Sequence, residues 1–285
     1  MGQIEYFELC NISAITSKFK TEEKFLKIFE DAERSPIDLF IINTKELNKL
    51  MGKNYNSALG NLILLGYISA TESYFRTLIR KLIIADEYIH TIIAEKNVSY
   101  AAAYHHTKDL LPEALLEDYS FASTKNINDA LRDLLGIKGN KPDNINEISK
   151  EFSKICELRH CCVHRFGKLG SKNATKLGLD THSDYLEKPM KLEETDINEL
   201  ANIVTSFVKV FNNYIYKTII ERTVDNKNKE KAGEKYYKEE WSWNFNKDKR
   251  RFKKYYDIFY TREDTIKSVP IKESYNLFRV TMKKL

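Results

Sequence analysis

"DNINEISKEFSKICELRHCCVHRFGK", residues 143–168, places Ile148, Phe152, Ile155, Cys162 and Phe166 three or four positions apart. That spacing lines up one face of an α-helix. Asn144 followed by Glu147 reads as an N-terminal capping pair, and Gly167 as a stop. The same period recurs outward from this stretch. "TEEKFLKIFEDAERS" (21–35) predicts an amphipathic helix ended by Pro36. Long helices are predicted over about 56–86 and 196–222, and shorter ones over 99–107, 112–120 and 124–136. Strand signals are too sparse and scattered for a parallel sheet. The expected fold is therefore an all-α helical bundle over 51–224, preceded by an N-terminal extension and first helices over 1–50. The polar run "DNKNKEKAGEK" (225–235) leads into a small basic-aromatic extension over 225–285. That extension is expected to hold a helix in "KDKRRFKKYYDIFYTRE", short strands, or both, with "LFRVTMKKL" leaning towards strand by its alternation.

Composition narrows the class. The chain has 285 residues, 31% charged and 42% hydrophobic, which suits a folded globular protein. It contains no uninterrupted apolar run of about 18 residues, so no membrane partner is expected. "MGQIEYFELC" lacks the basic start and apolar centre of a signal peptide, and the expectation is a cytoplasmic protein. Cys10, Cys156, Cys161 and Cys162 form no C-x-x-C pair and are expected as reduced thiols. Charge is distributed unevenly. Residues 226–285 carry 17 of the 46 Lys/Arg, 9 of the 41 Asp/Glu and 12 of the 34 aromatics. Basic charge mixed with aromatics suits a polyanion with bases to stack, while a solvated tail folded back on the body would carry the same composition.

Two charges interrupt otherwise apolar faces. Arg159 fills the gap in the series from Ile148 to Phe166, and Glu72 fills one among Leu65, Ile68, Phe75, Ile79 and Leu82. A charge on an inward face is costly unless paired. A carboxylate can fix a guanidinium by two parallel hydrogen bonds, so Glu72 and Arg159 are expected to pair. His164 follows Arg159 by five residues, and His160 lies one turn before His164 on the same side.

"RHCCVH" (159–164) resembles the R-[polar]-x-x-x-H signature of the HEPN superfamily of helical domains, over roughly residues 55–222. The resemblance gives Arg159 the arginine position, His160 the polar one and His164 the histidine. It implies a helical bundle and a metal-independent endoribonuclease with no cofactor, of the kind found in toxin–antitoxin and abortive-infection (anti-phage) defence. It also implies a homodimer with facing motifs, an acidic residue such as Glu72 near the arginine, and in toxin systems an antitoxin partner. In the variant that carries a modifiable tyrosine two residues after the histidine, the hydroxyl is the target; here that position is Phe166. In such chemistry His164 serves as general base or acid, Arg159 stabilises the phosphate, His160 assists and Glu72 holds Arg159.

Arg165, Lys168, Lys172 and Lys176 follow the motif and are expected along the RNA path. Arg250, Arg251, Lys253 and Lys254 with Tyr255 and Tyr256 are expected to contact RNA from the C-terminal extension. Other chemistries fit less well. Cys156, His160 and His164 step by four, a spacing that can bind zinc, yet a fourth ligand is missing and His105, His106 and His182 are only loosely placeable. No metal is therefore expected. "GKLGSKNATK" departs from G-x-x-x-x-G-K-[ST]. A thiolate at Cys161 or Cys162 would lack the electropositive helix start that activates it. The alternative function is a non-catalytic dimeric module of the same type that binds RNA or a partner protein.

Overall fold

A computed structural model describes residues 17–26, 33–52, 55–224 and 241–283. Among them are twelve α-helices and no strand, so the fold is all-α. The chain divides into two compact units, Met1–Glu33 and Arg34–Leu285. In the first, the described residues hold one 3-10 turn, Thr21–Lys24, followed by exposed Phe25 and Leu26. The helix expected over 21–35 is therefore corrected over 21–26, and 27–32 lie outside the described residues.

Pro36 begins a helix rather than ending one. In α1 (Pro36–Asn48) it sits in the first turn, where its missing N–H costs nothing, and the Ser35 hydroxyl accepts from the Asp38 amide at 3.2 Å. Next comes α2 (Ser57–Ala85), capped by Asn56, whose side chain accepts from the Leu59 amide. Its 29 residues span about 43 Å. Short helices α3 (Glu87–Ile93), α4 (Tyr100–His105) and α5 (Leu111–Leu116) lead to α6 (Thr124–Leu135), which ends on left-handed Gly136. The helix bearing the opening stretch is α7 (Asp143–Arg165), and its expected capping pair is not formed. Pro142 holds the cap position, and Asn144 already lies inside the first turn. Two short helices follow, α8 (Ser171–Leu177) and α9 (Leu179–His182). The capping box lies instead at the start of α10 (Glu194–Arg222), where the Glu193 amide donates to Asp196 at 2.7 Å.

The interior forms where α2, α7 and α10 meet. Phe75, Phe121, Phe152, Phe207 and Phe211 are fully buried. Phe152 of α7 lies face to face with Phe207 of α10 at 3.9 Å between ring centres, and Phe75 of α2 meets Phe207 and Phe211 edge-on. At the far end of α10, buried Arg222 donates to Asp86 at 2.7 Å and to the Leu135 carbonyl at 2.6 Å. The Tyr88 ring covers its guanidinium at 4.4 Å. These contacts tie α10 to the α2–α3 junction and to the end of α6.

Residues 241–283 belong to the same unit as the bundle. They form α11 (Phe245–Phe259) and α12 (Ile271–Met282). The strand lean of "LFRVTMKKL" is corrected: Tyr275, Phe278 and Met282 are buried, while Leu277 and Val280 face solvent. Those three buried side chains are spaced by three and four, the period of a helix face. Trp241, Phe252, Tyr255, Phe259, Tyr275 and Phe278 join the core. Asp248 accepts from the Ser242 amide and hydroxyl and from the Tyr275 hydroxyl at 2.5 Å. Burial alone would raise its pKa, but the bonds from Tyr275, Ser242 and the Trp243 amide outweigh this and hold it below the usual range. None of the described helices is long and apolar enough to cross a membrane.

A buried carboxylate joins the two ends of this unit. Asp38 accepts from the Thr261 hydroxyl at 2.6 Å and from the amides of Arg262 and Glu263 at 3.0 and 3.1 Å. Asp38→Ala leaves three donors unpaired and should lower stability by about 2–4 kcal/mol in urea titration. Asp38→Asn, which keeps one acceptor oxygen, should lose less. Hydrogen exchange at residues 261–263 should speed up in the alanine variant.

Candidate functional site

The six-residue frame occupies the last two turns of α7. Below it the helix is anchored by buried Phe152, Ile155 and Cys156. The frame itself turns outward. Arg159 and His160 are half-buried, His164 and Arg165 are exposed, and Cys161 and Cys162 point inward. His160 and His164 present parallel rings with centres 5.9 Å apart, inclined by 15°. Their four-residue spacing accounts for this, since such positions lie one above the other on a helix. Burial lowers the His160 pKa, and neighbouring Arg159, Lys176 and His164 lower it further against the opposing pull of Glu157. The neutral ring is thus favoured at neutral pH.

The expected Arg159–Glu72 pair is not formed. Glu72 is half-buried and its carboxylate accepts from the Phe121 amide at 3.0 Å. It thereby fixes the segment before α6, beneath which Phe121 stacks on Phe75 at 6.1 Å. The gap in the α2 face is filled by a side-chain-to-backbone bond, which pattern reading could not distinguish from an ion pair. Arg159 carries no hydrogen bond or ion pair among the described residues, and it is not the fully inward side chain that its place in the series implied.

The acid that does face the frame is Glu157. Its carboxylate accepts from Lys176 and from the Asn173 amide group, each at 2.8 Å, and so draws α8 against α7. Sequence reading passed it over because an exposed Glu and an anchoring Glu look alike on a helix. Phe166 is the second residue missed. It was expected on the buried series but is 92% exposed, with a left-handed backbone at φ 51°. Gly167 follows at φ 88°, and its amide reaches back to the Cys161 carbonyl at 3.0 Å. The helix therefore unwinds one residue before the glycine and carries Phe166 off the buried face.

No family model, curated protein or solved structure matches this chain. The site must be read on its own geometry.

Zinc and thiol chemistry do not fit it. Cys156 is buried among apolar side chains, and burial together with Glu157 pushes its thiol up to about 12. Burial likewise raises Cys162 to about 11 and raises Cys161. Among the described residues no three His, Cys, Asp or Glu side chains come together as a metal site. The rings of His106 and His182 contact backbone carbonyls, those of Leu110 and Gly178.

The residues expected on the RNA path separate into two groups. Lys176 is paired with Glu157, and Arg165 with Glu187 at 2.7 Å. Lys253 is paired with Asp257, and Arg251 covers the Trp241 ring at 4.2 Å. Tyr255 is buried in the core, which removes it as a stacking surface. Tyr256 stacks on Tyr260 at 5.2 Å and donates to the Val269 carbonyl at 2.8 Å. The aromatics of the extension are thus largely consumed in holding it to the bundle. Lys168, Lys172, Arg250 and Lys254 remain exposed, and no partner for them is seen among the described residues.

The thiol chemistry is directly measurable. With Cys10 (outside the described residues) replaced by serine, a disulfide-exchange reagent at mildly alkaline pH should label no thiol on the timescale of free cysteine. All three buried thiols should react once the chain is unfolded in guanidinium.

Proposed function

We propose that the chain is a metal-independent endoribonuclease of the HEPN type, acting as a homodimer, with Arg159, His160 and His164 as its reacting groups. The observation that carries this reading is the parallel His160–His164 pair beside an arginine without a protein partner, at an open helix end. RNA cleavage by 2′-OH attack needs a proton acceptor, a proton donor and positive charge at the phosphate. His160, favoured as the neutral ring, is suited to accept the 2′-OH proton. His164, open to solvent, is suited to donate to the 5′-oxygen leaving group. Arg159 can offer two parallel N–H groups to the phosphate oxygens because no carboxylate occupies it. The products would be a 2′,3′-cyclic phosphate and a free 5′-hydroxyl.

Both rings leave one face of one helix, so a single copy approaches a phosphate from one side. Attacking and leaving oxygens lie on opposite sides of phosphorus in an in-line displacement. A second copy related by a two-fold axis would supply the opposite side, which favours the dimer. Glu72 enters this reading as a positioning residue for the segment before α6 rather than as the holder of Arg159. Defence against phage or toxin action is the biological setting that this activity would suit. The non-catalytic alternative draws on Lys168, Lys172, Arg250 and Lys254, exposed cations that would bind an RNA backbone without cleaving it.

The test is cleavage of RNA by the purified chain in EDTA. His164→Ala and Arg159→Ala should each lower the rate by about 10²–10³ while leaving the helical circular-dichroism spectrum unchanged. Retention of full activity by the His164→Ala protein would sink the assignment. RNA binding without cleavage in the unaltered protein would favour the binding module.

The rate should also depend on pH in a defined direction. As pH falls through the depressed His160 pKa, that ring takes up a proton and ceases to act as a base. The acid limb should therefore lie below about 6.5, the ordinary histidine value, and disappear in His160→Gln.

A further inference from the structure

Phe166 has no evident role in the fold. Among the described residues of the Arg34–Leu285 unit, no other phenylalanine is exposed: Phe40, Phe75, Phe121, Phe152, Phe207, Phe211, Phe252, Phe259 and Phe278 are buried and Phe245 half-buried. Its left-handed backbone (φ 51°, ψ 42°) is uncommon for a bulky side chain, and a glycine would adopt it freely. The next residue, at φ 88°, is glycine, where a side chain would also crowd Asn61. An aromatic ring kept in solvent on an unfavourable backbone is better explained by what it meets than by what it packs against.

Its surroundings indicate what that is. His164 and Arg165 precede it and Lys168 follows within two residues, all exposed. An exposed aromatic side chain followed by exposed Lys168, which has no partner among the described residues, matches single-stranded nucleic acid, whose bases stack while its phosphates are neutralised.

We propose that Phe166 is a stacking platform for an unpaired base of RNA, two residues from His164, holding the strand beside the reacting phosphate. The inference rests on the nuclease reading for the meaning of that position, but the platform can be tested without cleavage. In this account Phe166 is a positioning residue, and the base identity is read only through its π-face.

The probe is a short single-stranded RNA, 2′-O-methylated throughout so that it cannot be cut, with 2-aminopurine at successive positions. Binding to the full chain should quench fluorescence at one or two adjacent positions. Phe166→Ala should abolish that quenching and weaken binding by about 5–100-fold, the range expected for loss of one stacked base. Phe166→Trp should restore both. Phe166→Gly should lose quenching equally while the melting temperature stays level or rises, which separates ligand contact from folding.

Unchanged quenching and affinity in Phe166→Ala would overturn the proposal, as would a fall in melting temperature for Phe166→Gly. Absence of RNA binding together with dissociation of a dimer in Phe166→Ala would also overturn it, assigning the ring to a subunit contact. Phe166-dependent quenching with no cleavage of unmodified RNA would uphold the platform and remove only the nuclease reading.

Discussion

The face-to-face contact of Phe152 with Phe207 fixes α7 against α10, and the placement of the candidate site follows from it. Arg159 lies seven residues beyond Phe152, two helical turns and about 10 Å further along the same axis. Closely packed interiors do not deform gradually. Once Phe152 is seated, the direction in which Arg159, His160 and His164 leave the helix is set by backbone periodicity alone. Edge contacts from Phe75 bring α2 into the same junction, and Phe121 extends it to the segment that Glu72 holds. The frame is therefore mounted on the packed interior, with Arg159 and His160 half-buried and His164 in solvent.

Around that frame, positive charge is partitioned rather than simply accumulated. Glu157 neutralises Lys176 and Glu187 neutralises Arg165, and each pair also braces the segment that follows α7. Arg159 and Lys168 are left without such partners among the described residues. A ligand anion reaching this surface meets charges that need not first abandon an internal carboxylate. Exposed ion pairs contribute little to stability, so the value of these pairs lies mainly in orienting the chain.

Much of the fold was legible from periodicity. The two long helices, α2 and α10, and the end of α6 at Gly136 follow the pattern closely because burial and chain geometry point the same way there. The start of α1 was not legible, because proline both ends and begins helices and only Ser35 distinguishes the two. Within the candidate site, the stacking of His160 on His164 followed from spacing alone. The pairing of Glu72 did not, because it depends on which backbone amide a loop from another helix presents. The C-terminal aromatics misled for a related reason. Tyr255 has the composition of a base-stacking residue, but its tertiary contacts bury it.

The Asp38 clamp has a consequence for how the molecule comes into being. It joins positions more than two hundred residues apart, and the aromatics of α11 and α12 complete a core begun by α2 and α10. Contacts so distant along the chain carry a large loop-closure cost and form late. During synthesis, α7 and its histidines would emerge well before the segments that seal the interior. A chain interrupted after α10 would present the RHCCVH frame on an unfinished bundle, with apolar faces uncovered and subject to proteolysis. The core that α7 packs into is thus complete only when α11 and α12 have joined it.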